Sequence, residues 1–268
     1  MSLIKSISGI RGTIGGKTND NLTALDVVKF TAAYGSWLAG ATKKKGPSKK
    51  KVVVGRDGRI SGLMVKNLVT ATLSSLGIDV IDLDYSTTPT VEMAVKFLEA
   101  DGGIILTASH NPKEWNALKL LNNKGEFISA DEGKAILEIA ASESFEFAPV
   151  DELGAISNDE TMLGKHIQSI LDHKLVDRDA IASANFRIVV DVVNSTGAIA
   201  IPALLDALGV KDYSLLFKEV NGKFAHNPEP LPENLVALSQ EVVKQKASLG
   251  IAVDPDVDRL CFVCEDGS

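Results

Sequence analysis

Short runs of β-branched and aliphatic residues alternate along this chain with longer segments of helical period. Residues 21–41 place Leu22, Leu25, Val28, Phe30 and Ala33 at near-helical spacing, with Asn21 or Thr23 as N-cap, and predict a first helix. "KVVVGRDGR" predicts a strand that breaks at Gly55. The pattern in "SGLMVKNLVTATLSSLG" predicts a helix, with Gly77 where a C-terminal cap belongs. "IDVIDLDY" then reads as a strand, "TPTVEMAVKFLEA" as a helix and "GGIILTAS" as a third strand.

After a polar stretch around Ser142–Asp159 the order returns. "FRIVVDVVNSTG" is a strand with a polar turn, and "AIAIPALLDALG" a helix with Pro202 near its start. "DYSLLFKEV" is a strand, "LPENLVALSQEVVKQKAS" a helix opened by Pro232, and "LGIAV" the third strand. Strands alternating with helices predict parallel sheets covered by helices. The expected fold class is α/β: two successive α/β/α domains with mixed, mainly parallel sheets. Residues 1–150 and 151–268 are the expected domains, their boundary falling within 145–185. In open sheets of this kind ligands gather at the carboxyl ends of the strands. The third strand of one unit runs into "TASHNP" and that of the other into "DPDVDR", so the most chemically loaded loops occupy equivalent positions.

A length of 268 residues agrees with two domains, and 45% hydrophobic residues give ample core. The net charge of -7 argues against a nucleic-acid binder and leaves room for an acidic metal site. No apolar run approaches the ~20 residues of a membrane span, so no membrane partner is expected. "MSLIKSISGIRG" lacks a secretory signal's apolar core, and two cysteines make no disulfide framework; a cytoplasmic location is the expectation. In "KKKGPSKKK", turn residues flanked by six lysines read as a solvated loop between a helix and a strand, with a phosphate-binding patch as the alternative.

Asp254, Asp256 and Asp258 stand at alternate positions in "DPDVDR". Carboxylates so close repel one another unless a cation joins them. Mg²⁺ takes oxygen ligands while keeping positions for water or phosphate, and a solvated acidic turn is the alternative. A calcium loop is excluded, because its sixth position needs glycine and is Arg259, and the flanks resemble strands. Cys261 and Cys264 fall in a probable strand with no second Cys or His pair, and are expected to be core thiols. Ser109 lies outside any G-x-S-x-G elbow, and the side chains of neighbours such as Ser109 and His110 usually diverge. An acceptor that carries a phosphoryl group suits this serine better than a hydrolase dyad, with a metal facing it. Arg11, Arg56 and Arg59 sit among glycines that let a backbone approach a ligand, and offer planar forks for phosphate oxygens. "GRDGR" reads equally as a turn in which Arg56 pairs with Asp57.

Together "TASHNPKEWNALKL" and "GIAVDPDVDRL" resemble the α-D-phosphohexomutase superfamily, the phosphoglucomutases, phosphomannomutases and phosphoglucosamine mutases. "SGIRGTIG", "VGRDGRISG", "STTPTVEMAV" and "FAHNPEPLPENL" are similar to further segments of that family. The resemblance implies that Ser109 is a phosphoserine. It implies that Asp254, Asp256 and Asp258 hold Mg²⁺, with the seryl phosphate of Ser109 as a further ligand. It also implies that Arg11, His110, Lys119 and Arg259 line the catalytic pocket, Lys119 as a proton shuttle or as an electrostatic partner. The implied substrate is a hexose or hexosamine phosphate, isomerised through a bisphosphate intermediate, with hexose 1,6-bisphosphate as activator. Two differences from the family pattern stand out: Pro255 and Val257 replace glycines of the metal loop, and Ala117 replaces a glycine after Asn116. Family members have four domains, so the expected reading is an N-terminal two-domain fragment, inactive as a mutase by itself. The alternatives are a non-catalytic phosphosugar- or metal-binding module and a phosphatase that forms a phosphoserine.

Overall fold

The computed structural model describes residues 2–6, 9–41 and 49–268. Its elements run β1 (Ile4–Ser6), β2 (Gly9–Thr13), α1 (Ala24–Ala41), β3 (Lys51–Arg56), α2 (Gly62–Ser75), β4 (Asp79–Tyr85), α3 (Thr88–Phe97), β5 (Gly102–Leu106), β6 (Trp115–Leu121) and α4 (Ala130–Ser142). They continue with β7 (Ile156–Asn158), α5 (Met162–Leu171), α6 (Arg178–Ser183), β8 (Arg187–Asp191), α7 (Gly197–Leu208), β9 (Asp212–Leu216), α8 (Val236–Gln245), β10 (Leu249–Val253) and β11 (Leu260–Val263). Two sheets result, ordered β1-β2-β6-β5-β3-β4-β7 and β11-β10-β8-β9.

Alternation along β3 explains the first three-layer unit. Val52 and Val54 face a core shared with α1, α2 and α4, while Val53 faces a second core with Val91, Ala94 and Val95 of α3. Because both faces are covered, β5 reads as an uninterrupted apolar run, and Ile104, Ile105 and Leu106 are fully buried. Each such side chain contributes roughly 1.5–3 kcal/mol relative to exposure. That anchorage makes the end of β5 a rigid platform for the loop that follows.

The second unit repeats the connectivity. In each, the third strand lies beside the first and the first beside the second, all parallel: β5-β3-β4 and β10-β8-β9. In each, an antiparallel strand then pairs with the third, β6 with β5 and β11 with β10. Both loaded loops therefore join a central parallel strand to its antiparallel neighbour. Val189 and Ala252 face α8, whereas Val190 and Val253 face α7. Helix α5 packs against both α3 and α7, joining the two units.

Helix α1 begins after Thr23, the second of the two expected N-caps, whose backbone N–H donates to Asp26 Oδ2 at 3.1 Å. Several other details differ from the sequence-based expectations. Pro232 opens a 3-10 turn over Pro232–Asn234, one residue before α8 begins at Val236. Pro202 lies inside α7, beyond the first turn where the missing N–H is without consequence. Strands β1, β2, β6 and β7 and helices α4, α5 and α6 come in addition to the elements expected. Strand β7 pairs with β4 and so belongs to the first sheet. Helix α4 carries a full capping box between Ser129 and Glu132, a signal present in the sequence. Of the two thiols expected in the core, Cys264 is exposed just past β11, while Cys261, half-buried on that edge strand, packs against the core with α8. Most of the lysine-rich loop, residues 43–48, lies outside the described residues. Lys49 and Lys51 donate to the carbonyls of Leu153 and Leu98.

Candidate active site

The serine loop is held from below by one buried arginine. Arg59 Nε donates to Asp57 Oδ2 at 3.0 Å. Its Nη1 reaches the carbonyls of Pro112 and Trp115 at 2.7 and 2.9 Å, and its Nη2 those of Ser109 and Asn111 at 2.6 and 2.7 Å. All five guanidinium donors are thus used within the protein. The expected Arg56–Asp57 pair is not formed, and Arg59 offers no fork to a ligand. Asp57 turns inward to Arg59, while Arg56 pairs with Asp84 at 2.7 Å and stacks 3.8 Å over Tyr85. Asp57 also accepts from Thr107 Oγ1, and Thr107 in turn accepts from the Ser109 N–H. Burial pushes the Asp57 carboxyl up to about 6, against the pull of Arg59. This framework holds Ser109 at φ 49°, a left-handed conformation that a non-glycine residue adopts at some energetic cost.

The acidic loop is braced by its own backbone. Asp254 Oδ1 accepts from the N–H groups of Asp258 and Arg259, both at 3.1 Å. The Pro255 carbonyl accepts from the hydroxyls of Ser195 and Thr196 at 2.6 and 2.9 Å. Of the two positions that differ from glycine, Val257 carries a positive φ of 61° and Pro255 does not. Ala117 lies within β6 without positive φ, so glycine is not required there.

These two loops meet. Ser109 Oγ donates to Asp254 Oδ2 at 2.8 Å across the junction of the units. Contrary to the expectation of divergence, Ser109 Oγ also lies 3.3 Å from His110 Nδ1, because the left-handed serine turns both side chains to the same side. Lys119, on β6, donates to Asp256 Oδ2 at 2.7 Å and to Asp258 Oδ2 at 2.9 Å. A cleft of about 440 Å³ opens over them, walled by Arg11, Ser109, His110, Lys119, Asp258 and Arg259 among others. Arg11, Ser109, His110, Lys119, Asp258 and Arg259 are therefore in one place, with Asp254 and Asp256 bonded to Ser109 and Lys119 beneath, whereas Arg56 and Arg59 do not line the cleft.

Ligand atoms of Asp254, Asp256 and Asp258 lie within 4.8 Å of one another. Burial, then the charges of Asp256 and Asp258, push Asp254 up to about 8. Burial acts upward on Asp256 as well, but the Lys119 ammonium holds it below the usual carboxylate range. Asp256 Oδ1 is buried without a hydrogen-bond partner. An all-oxygen trio with one oxygen unsatisfied fits a hard divalent cation such as Mg²⁺.

Glu229 was not singled out from sequence. Its carboxylate accepts from Arg259 Nη1 and lies 3.0 Å from His110 Nε2, linking a residue of each unit. Burial, followed by the nearby Arg259 charge, lowers the His110 pKa, and Glu229 opposes them. The sequence signal for Glu229 is the segment "HNPEPLPENL", where nothing marks Glu229 above Glu233.

Residues 3–147 match the family description phosphoglucomutase/phosphomannomutase, alpha/beta/alpha domain I, and residues 165–267 match domain II. The chain belongs to this family. It is 37% identical over 259 residues to a phosphoglucomutase/phosphomannomutase of Thermococcus kodakarensis, covering 96% of this chain and 55% of that protein. It is 31% identical over 273 residues to a phosphoglucosamine/phosphogalactosamine mutase of Sulfurisphaera tokodaii, covering 100% and 56%. The crystal structure of a phosphoglucomutase/phosphomannomutase family protein from Burkholderia thailandensis superposes with a TM-score of 0.79 at 25% identity, covering 99% and 56%. The chain spans about half the length of the curated relatives it matches. Among the described residues no helix is long and apolar enough to cross a membrane.

Proposed function

We propose that this chain carries the phosphoryl-relay half of a phosphosugar mutase, with Ser109 as the residue that is phosphorylated. The observation that carries this reading is the 2.8 Å contact between Ser109 Oγ and Asp254, which puts a hydroxyl of one unit against the carboxylate trio of the other. Asp254, Asp256 and Asp258 would hold Mg²⁺ there, with the seryl phosphate as a further ligand. The ion would supply positive charge beside the phosphoryl oxygens.

In the forward step the phosphoryl group leaves Ser109 Oγ and bonds to a sugar hydroxyl. The hydroxyl proton passes to a base in the cleft, and His110, whose Nδ1 faces Ser109, is placed to take it and hand it to the departing Ser109 Oγ. The sugar bisphosphate then returns its other phosphoryl group to the Ser109 hydroxyl, whose proton passes by the same route to the departing sugar oxygen. Lys119 is held protonated by Asp256 and Asp258 although burial opposes it, which suits an electrostatic partner better than a base. Arg11 and Arg259 face the same cleft and would bind phosphate oxygens, Arg259 by exchanging Glu229 for the substrate. Names of relatives cover glucose, mannose, glucosamine and galactosamine phosphates, which supports the phosphosugar class rather than one sugar.

Incubation with glucose 1,6-bisphosphate labelled in its phosphates, with Mg²⁺, tests the relay. Label on the peptide containing Ser109, lost in S109A, is the expected result. Label released as inorganic phosphate would favour a phosphatase. A serine that stays unmodified would sink the relay and favour a binding module.

A further inference from the structure

Asp256 is held from across the junction by the first turn of α3. The Thr88 hydroxyl donates to Asp256 Oδ2 at 2.5 Å, and the Thr88 N–H donates to the Asp256 carbonyl at 2.9 Å. One residue of the first unit thus grips both the side chain and the backbone of a residue in the second. The N–H of Thr88 is one of the donors that a helix start leaves unpaired, and Asp256 satisfies it. The positive end of the helix dipole also favours a carboxylate at this point.

The turn that presents Thr88 is itself rigid. Thr87 caps α3 by accepting from the Thr90 N–H, and Pro89 presets the first turn. Val91, Ala94 and Val95 anchor the helix in the core beneath. Thr88 is 2% exposed and Asp256 fully buried, so water cannot replace the hydroxyl bond.

Thr88 and Lys119 both engage Oδ2, whereas Oδ1 of the same carboxylate is buried without a partner. A carboxylate donated to on one oxygen and bare on the other has its rotation set. We infer that Thr88 is a positioning residue for the cation centre: it fixes the Asp256 carboxylate so that Oδ1 is the oxygen presented to a divalent ion. This rests on the metal reading of the aspartate trio given above. Affinity for the ion in the second unit then depends on a hydroxyl of the first. Partners that orient metal ligands typically change affinity by 10–100-fold when removed.

The probe is Mn²⁺ added to the 268-residue chain, with the free ion followed by its electron paramagnetic resonance signal and folding followed by circular dichroism. T88V keeps the branched shape and loses the donor. It is expected to bind Mn²⁺ about tenfold more weakly than the wild type, and T88S is expected to restore binding to within a few-fold. T90V removes a buried hydroxyl of the same turn, bonded to Thr87 and His166 rather than to a carboxylate. It is expected to lower the melting temperature and leave Mn²⁺ affinity unchanged. Should T88V fail to fold, T88A removes the same donor with less steric demand. Wild-type affinity in a folded T88V or T88A would overturn the role of Thr88 while leaving the metal centre standing. A wild-type chain that takes up no Mn²⁺ would overturn the metal reading, and this inference with it.

Discussion

The Ser109 carbonyl accepts from Arg59 Nη2 at 2.6 Å, so the backbone of the reactive loop hangs on a guanidinium that never meets solvent. The ring of Phe224, from the second unit, covers that guanidinium at 5.1 Å. The position of the serine is therefore a property of both units.

Replacing Arg59 by lysine keeps the charge but leaves an ammonium with three donors where five are used. R59K is expected to lose about 3 kcal/mol of unfolding free energy, because buried carbonyls of the serine loop are left without donors. Labelling of Ser109 by the bisphosphate is expected to fall more steeply than the folded fraction. Urea unfolding and peptide labelling on the same preparations check both.

Gly222 has φ 65°, and a Cβ there would come within 2.4 Å of the Gly58 carbonyl at the junction. G222A is expected to destabilise by about 1–3 kcal/mol, from strain and from a separation of the two units. Gly164, exposed in α5 with nothing near its Cβ position, is the contrast. G164A is expected to stabilise by roughly 0.5–1 kcal/mol through helix propensity. Thermal melts of the two variants should move in opposite directions.

His226 donates toward Asp191 at 2.9 Å through Nε2 and lies 2.7 Å from the Asn227 carbonyl through Nδ1, so both nitrogens face acceptors. Burial acts to lower its pKa, but the bond to Asp191 and the charge of that carboxylate raise it above the ordinary 6.5. The charged imidazole thus stabilises the fold fully below pH 6.5, and that contribution is lost as pH rises through the elevated folded value. Wild type should exceed H226Q in unfolding free energy by more at pH 6 than at pH 9. An advantage that is flat or grows with pH would contradict this.

Mg²⁺ at millimolar concentration is expected to raise the melting temperature, because an ion that binds the folded trio adds to stability by mass action. Chelation should reverse the gain, and D254N should abolish it. Scanning calorimetry with and without the ion is the check.

The sequence by itself determined the strand–helix alternation, the two equivalent loops and the identity of the groups that gather there. Apolar periodicity, turn residues and the spacing of the aspartates are local properties, legible along the chain. Ser109 and the aspartates stood out because their chemistry is unusual at the end of a buried strand, whereas Lys119, inside β6, was indicated only by the family resemblance. Antiparallel β6 and β11 were harder to read, since short apolar runs do not reveal their direction.

Tertiary structure alone decided who pairs with whom. Asp57 chose Arg59 over Arg56 because β3 points Arg56 toward Asp84, and Arg59 alone lies beneath the serine loop. Thr88, Ser195 and Glu229 carry ordinary polar side chains; only the docking of one unit on the other brings them against Asp256, the Gly58 N–H and His110. Such contacts span scores of residues along the chain, so no local pattern encodes them. They form where two separately stabilised cores press their strand ends together, and that junction makes a site from two loops.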